Sequence, residues 1–222
     1  MADTLKLKAS DGHAFDAYLA QPSGKPRGGL VVIQEIFGVN SHMKSVADAF
    51  AEDGYLAICP ALYDRYKPGI DLGYDEDDVT EGREIRAKVG NDDPLLDIAA
   101  AADAVRSAGR VGVVGYCWGG TLTWLAATKL DGFSVASSYY GGGIGGLVDL
   151  QPKCPVIFHF GEQDHAIPMD EVEKLRQAHP DLPVHVYPAG HGFNCDARGS
   201  YEPKSAEIAR ERTLEFFKQH MG

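Results

Sequence analysis

The stretch Val113-Val114-Gly115-Tyr116-Cys117-Trp118-Gly119-Gly120 limits the folds open to this chain more than any other. Arg110 to Val114 is short, mostly apolar and β-branched, as a buried strand is. Thr121 to Leu130 carries Leu, Trp and Ala at helical spacing. Between them, Gly115, Gly119 and Gly120 flank a sharp turn. Strand, turn and helix around Gly-x-Cys-x-Gly is the nucleophile-elbow pattern Gly-x-Ser-x-Gly with sulfur in place of oxygen. The glycines are needed because the elbow residue is strained and because a Cβ beside it would collide with the strand or the helix. Such a turn lifts the sulfur to the carboxyl end of a sheet, over a helix N-terminus, where a thiolate is stabilised. Taken alone, Cys117 also fits a small buried hydrophobe. Its partners downstream decide between the two.

The rest of the chain supplies the sheet. Leu5–Lys8 and Ala14–Ala20 form a hairpin around Ser10-Asp11-Gly12. Gly29–Gln34 and Tyr55–Cys59 are apolar runs expected to be strands, the second stopped by Pro60. Between them Ser41 N-caps a helix to about Glu52. Ala61–Asp78 is loop-like, Asp77–Lys88 a polar helix, and Asn91-Asp92-Asp93-Pro94 opens a helix with Leu95, Leu96, Ile98, Ala99, Ala102 and Val105 on one face. Beyond the elbow, Phe133–Tyr140, Pro155–Phe160 and Val184–Tyr187 are strands. Met169–Ala178 and Pro203–Gln219 are helices, the last burying Ile208, Leu214, Phe216 and Phe217. Strands alternating with helices predict an α/β fold with a mostly parallel sheet covered on both faces. The 222 residues are expected to make one domain, 1–222.

Composition excludes some classes of partner. The net charge of −11 argues against nucleic acid, whose phosphates require a basic face. No uninterrupted apolar run is long enough to span a bilayer, so no membrane partner is expected. Met1-Ala2-Asp3-Thr4-Leu5-Lys6 lacks the apolar core of an export signal, and Cys59, Cys117, Cys154 and Cys195 lack Cys-x-x-Cys pairing. Those features point to a reducing cytoplasm and to no structural zinc. A His159/His165/His191/Cys195 metal site matches no standard ligand spacing, so no metal or organic cofactor is expected.

In doubly wound sheets ligands sit where strands end. Past Phe160 come Gly161-Glu162-Gln163-Asp164-His165; past Tyr187 come Pro188-Ala189-Gly190-His191-Gly192-Phe193. Cys117, Asp164 and His191 thus occur in the chain order nucleophile, acid, histidine of the α/β-hydrolase triad. A histidine must take the thiol proton, and a carboxylate must fix its tautomer and stabilise its charged form. Asp164 also fits a turn or cap residue. His165 shares a loop with the acid, which suits the base less well. His159, inside a strand, reads as a core histidine.

Gly115-Tyr116-Cys117-Trp118-Gly119-Gly120, with Gln34-Glu35-Ile36-Phe37-Gly38 upstream and Gly190-His191-Gly192-Phe193 downstream, resembles the dienelactone hydrolase family over most of the chain. The resemblance implies a cysteine hydrolase of lactones or esters on an α/β-hydrolase fold. It also implies that Glu35 holds the resting thiol until an anionic substrate displaces it; a carboxylate beside a thiolate raises both pKa values, so the pair resists premature ionisation. The other reading of Glu35 is a strand-end carboxylate in solvent. Backbone N–H groups of Trp118 and Ile36 would form the oxyanion hole. Arginines bind a substrate carboxylate in the family. Here Cys195 stands where an arginine follows the histidine by four, which leaves Arg198, Arg83 and Arg86 as candidates, with Phe37 and Tyr140 bordering the pocket. The expected partner is a small, anionic ester or lactone, and the expected assembly a monomer or weak homo-oligomer. A broader carboxylesterase or thioesterase, and a redox-sensing or binding module built on Cys117, are the alternatives.

Overall fold

The structure, a computed structural model, describes residues 2–221. It divides into two compact units, one ending at Val113 and one starting at Val114. The division falls inside a strand rather than in a linker.

The first unit opens with the predicted hairpin. Strand β1 (Ala2–Lys8) pairs antiparallel with β2 (Ala14–Ala20), with Gly12 at φ 93° in the turn. Strand β3 (Gly29–Ile33) is buried at every position. Strand β4 (Leu56–Pro60) lies between β2, antiparallel, and β3, parallel, giving the order β1-β2-β4-β3.

Helix α1 (Ser41–Glu52) is capped by Asn40 rather than Ser41. The Asn40 side-chain oxygen accepts the Met43 N–H at 3.1 Å, while its amide donates to the Leu72 carbonyl and to the Tyr74 hydroxyl. An amide side chain can accept the capping N–H and still donate two hydrogen bonds to a distant loop; a hydroxyl has only one to donate. Helix α2 (Glu76–Val89) starts at Glu76, inside a capping box of Asp75 and Asp78. The stretch expected to be loop contains a short 3-10 turn, Leu62–Arg65. Arg65 holds it: Nε and Nη2 each donate to one oxygen of Asp97 at 2.7 Å, and Nη1 reaches Asp11 at 2.8 Å. Asp97 is fully buried on helix α3 (Asp93–Val105). Burial pushes the Asp97 carboxyl pKa up, against the pull of Arg65. On α3, Leu95, Ile98, Ala102 and Val105 are buried as predicted, while Leu96 and Ala99 are half-buried.

Strand β5 (Val111–Tyr116) runs across the division. In the second unit β5, β6 (Phe133–Tyr139), β7 (Val156–Gly161) and β8 (Val184–Tyr187) follow one another in that order. Strands β6, β7 and β8 are parallel, with Tyr139 opposite His159 and Gly161 opposite Tyr187. Helix α4 (Trp118–Lys129) begins three residues before the predicted Thr121, because Gly119 and Gly120 are themselves helical. It is buried all round up to Thr128, as a helix without a polar face must be. Helix α5 (Met169–Ala178) keeps its predicted bounds.

The final helix, α6 (Pro203–Met221), packs on β6 and β7 with a different face from the one predicted. Ile208 is exposed, Leu214 and Phe216 are half-buried, and of the four expected only Phe217 is buried. The inner face is Ser205, Ala206, Ala209, Thr213, Phe217 and Met221. Four of these six are small, so side-chain hydrophobicity alone does not select the contact face.

Candidate active site

Strand β5 ends at Tyr116 and α4 begins at Trp118, which leaves Cys117 alone in the corner at φ 56°, ψ −118°. A residue with a Cβ seldom holds a positive φ. Close packing imposes it here. A Cβ on Gly115 would stand 2.1 Å from the Gly119 carbonyl oxygen, and one on Gly120 2.4 Å from the Tyr139 carbonyl oxygen. Strand and helix meet this closely only because hydrogen occupies both places. The Cys117 N–H donates to the Tyr139 carbonyl at 3.0 Å. Just past the end of β6 is Tyr140, at φ 37° the other non-glycine with positive φ among the described residues; its N–H donates to the His159 carbonyl at 2.7 Å.

Two strand ends bring the remaining groups. Asp164 lies three residues past β7 with its side chain fully buried. One oxygen accepts the Ala166 N–H at 2.8 Å, and the other lies 2.7 Å from Nδ1 of His191. His191 lies four residues past β8, its carbonyl held by the Ser200 hydroxyl at 2.7 Å. Its Nε2 is 3.2 Å from the Cys117 sulfur, and the Tyr140 ring meets its imidazole edge-on at 5.2 Å. Burial by itself lowers the imidazole pKa; Asp164 and Cys117 outweigh it and push it up to about 10. The arrangement therefore favours a proton on His191 held between a carboxylate and a sulfur. His165 is exposed and takes no part in this chain of contacts.

A model of the dienelactone hydrolase family matches residues 15–221. The chain belongs to the dienelactone hydrolase family. Among its relatives, a carboxymethylenebutenolidase of Pseudomonas putida is 35% identical, over 97% of this chain and 96% of that protein. An Azospirillum brasilense protein assigned the same activity is 36% identical, over 98% and 99%. A solved structure from Klebsiella pneumoniae, assigned as a dienelactone hydrolase, superposes with a TM-score of 0.83 at 32% identity and covers 99% of each chain. The fold is thus the α/β-hydrolase fold of these dienelactone hydrolases.

The other residues singled out by the dienelactone hydrolase resemblance lie mostly in the first unit. Glu35 is fully buried, not turned to solvent. Its carbonyl takes the Gln34 side-chain amide, whose oxygen in turn accepts the Leu62 N–H. Helix α2 backs directly onto Ile36: a Cβ on Gly82 would fall 2.2 Å from the Ile36 carbonyl oxygen. Phe37 is buried against Tyr74, ring centroids 4.6 Å apart. Arg83 and Arg86 follow Gly82 on α2, both exposed. In the second unit the Arg198 guanidinium packs on Gly192, beside His191, so closely that a Cβ there would lie 2.5 Å from Nη1. Tyr140 is fully buried. Sequence reasoning missed Ser200 and a buried cluster around Thr213, because neither carries a motif or a spacing that marks it.

Proposed function

We propose that this dienelactone hydrolase family member is a cysteine hydrolase of small carboxylic esters and lactones. The observation that carries the reading is the unbroken Asp164–His191–Cys117 contact chain, 2.7 and 3.2 Å, ending on a sulfur in a strained corner. Cys117 is the nucleophile. As its sulfur adds to the substrate carbonyl carbon, Nε2 of His191 holds the proton that has left the thiol. Asp164 accepts the Nδ1–H, which fixes the nitrogen that faces the sulfur and stabilises the imidazolium. The carbonyl electron pair moves to oxygen. The Trp118 N–H, at the start of α4, is one donor for that oxyanion; the Ile36 N–H is the second that the family resemblance suggests. Collapse of the intermediate breaks the carbon–oxygen bond, and the leaving oxygen takes the proton back from His191. The acyl-thioester is then attacked by water, which gives a proton to His191; the carbon–sulfur bond breaks, the acid leaves and the thiol is restored.

Relatives named carboxymethylenebutenolidase support enol-lactones and similarly activated esters as the substrate class. Their leaving groups depart with little acid assistance, which suits a thiolate nucleophile. Glu35 is proposed as the carboxylate that restrains the thiol at rest. Arg198, Arg83 and Arg86 are the guanidinium candidates for a substrate carboxylate, since their planar forks match one bidentately; Phe37 and Tyr140 are proposed as pocket walls.

The test is hydrolysis of a panel of lactones and aryl esters by the native protein and by Cys117→Ala, with mass spectrometry of the quenched reaction. Turnover is expected to fall by about 10³-fold or more in Cys117→Ala, and the acyl adduct to map to Cys117 in the native protein. Full lactonase activity in Cys117→Ala would refute the assignment.

A further inference from the structure

Thr213 of α6 is fully buried, and three groups surround its hydroxyl: Ser137 Oγ at 3.0 Å, the Tyr139 hydroxyl at 2.8 Å and His159 Nε2 at 3.0 Å. His159 is equally buried, with Nδ1 2.8 Å from the Tyr187 hydroxyl. Arg212 Nη1 donates to that hydroxyl at 3.2 Å.

A guanidinium only donates, so the Tyr187 oxygen accepts from Arg212. Both nitrogens of His159 are engaged, Nδ1 by the Tyr187 hydroxyl and Nε2 by Thr213, so one side donates and the other accepts. The Thr213 hydroxyl has one donor and two acceptor sites for its three neighbours. Burial, His185 and Arg212 hold the His159 pKa well below its ordinary range.

Apolar side chains would fill this part of the core without desolvating so many polar groups, and a half-satisfied network is worse than none. Its position along the chain gives it a use. The Tyr139 carbonyl accepts the Cys117 N–H, and the His159 carbonyl accepts the Tyr140 N–H. These two bonds hold the two non-glycine residues with positive φ among the described residues. His159 stands five residues before Asp164 on β7, and Tyr187 four residues before His191 on β8. The Tyr187 ring packs on Phe193, two residues beyond His191, at 5.2 Å.

We propose that the Thr213–His159–Tyr187 network is a positioning device for the hydrolytic site, pinning the ends of β6, β7 and β8 so that the Cys117 corner and His191 keep their spacing. The proposal rests on the cysteine-hydrolase reading for its effect on turnover, but not for its effect on the thiol. None of these residues touches the reacting atoms; they act through the strand ends.

The test compares Thr213→Val, which removes the hydroxyl at constant shape, Tyr187→Phe, which removes the partner of Nδ1, and Thr213→Ser, which restores a hydroxyl. Two quantities are read: kcat and KM on an aryl ester, and the pH profile of Cys117 alkylation by iodoacetamide, followed on the Cys117 peptide by mass spectrometry. In Thr213→Val and Tyr187→Phe, kcat is expected to fall about ten- to a hundredfold with KM within about twofold. The midpoint of the alkylation profile is expected to move by about one pH unit. Thr213→Ser is expected to lie within about threefold of the native kcat, with its profile restored. Should Thr213→Val fail to fold, Tyr187→Phe decides. Folded variants with native kcat and an unmoved profile, or a lowered melting temperature as the sole change, would overturn the proposal. If the native protein hydrolyses no ester, the hydrolase reading falls while the alkylation profile still tests the network.

Discussion

Gly115→Ala tests how tightly the Cys117 corner is specified. The new methyl would lie 2.1 Å from the Gly119 carbonyl oxygen, 2.4 Å from its carbon and 2.5 Å from Thr123 Oγ1. Two of these are backbone atoms, and the third is fixed by its own hydrogen bond to the Gly119 carbonyl at 2.8 Å. No rotamer change relieves the clash. Cβ atoms essentially never come within 3.0 Å of such neighbours, so strand and helix must part by about 0.9 Å. Cys117 lies between the two glycines, so the gap opens at the sulfur, 3.2 Å from Nε2 of His191. Overpacking of this kind costs about 1–3 kcal/mol. A displacement near 1 Å at a reacting group costs about 10² in rate. Denaturant unfolding should therefore show a modest loss of stability, while kcat/KM for an aryl ester falls by about a hundredfold in protein that is still folded. Gly146→Ala, where a Cβ meets nothing within 4 Å, is the control, expected within about 0.5 kcal/mol of native with full turnover. Native kcat/KM in folded Gly115→Ala would mean that the corner does not set the sulfur's position.

The raised His191 pKa carries a stability signature. Its folded value, about 10, exceeds the ordinary 6.5, so the stabilisation is complete below pH 6.5 and is lost as the pH rises through 10. Denaturant unfolding across that interval should give a falling free energy, and Asp164→Asn, which removes one of the groups that raise the pKa, should flatten it; equal slopes would contradict the assignment. Arg65→Met leaves the Asp97 carboxylate buried without its bidentate partner, and a loss of about 3–5 kcal/mol is expected by denaturant titration. Adding Asp97→Leu should recover most of that loss. A single variant as stable as the native protein would show that the bridge contributes nothing.

The features legible in the sequence were those set by local backbone demands. The glycines around Cys117 announce a corner, and the order Cys117, Asp164, His191 places three groups at strand ends, where the structure brings them into contact. His159 reads as a core histidine and is one. What escaped depends on long-range partners. Asn40 displaces Ser41 as the cap because Leu72 and Tyr74, far along the chain, can use its amide. Arg65 looks like a loop residue until Asp97 is seen buried beside it. The inner face of α6 follows small residues that no hydrophobic periodicity marks, and Thr213 joins partners up to 76 positions away.

Tyr140 is held at φ 37°, where glycine would rest more easily, and its ring lies edge-on to His191. Efforts to make this protein hardier by matching each residue to its backbone would single out that tyrosine first. A glycine there would ease the strain, yet it would leave a cavity where the buried ring stood and strip the imidazole of its aromatic neighbour. Heat tolerance and turnover thus both favour keeping the tyrosine, and a search that scores backbone fit alone would discard it.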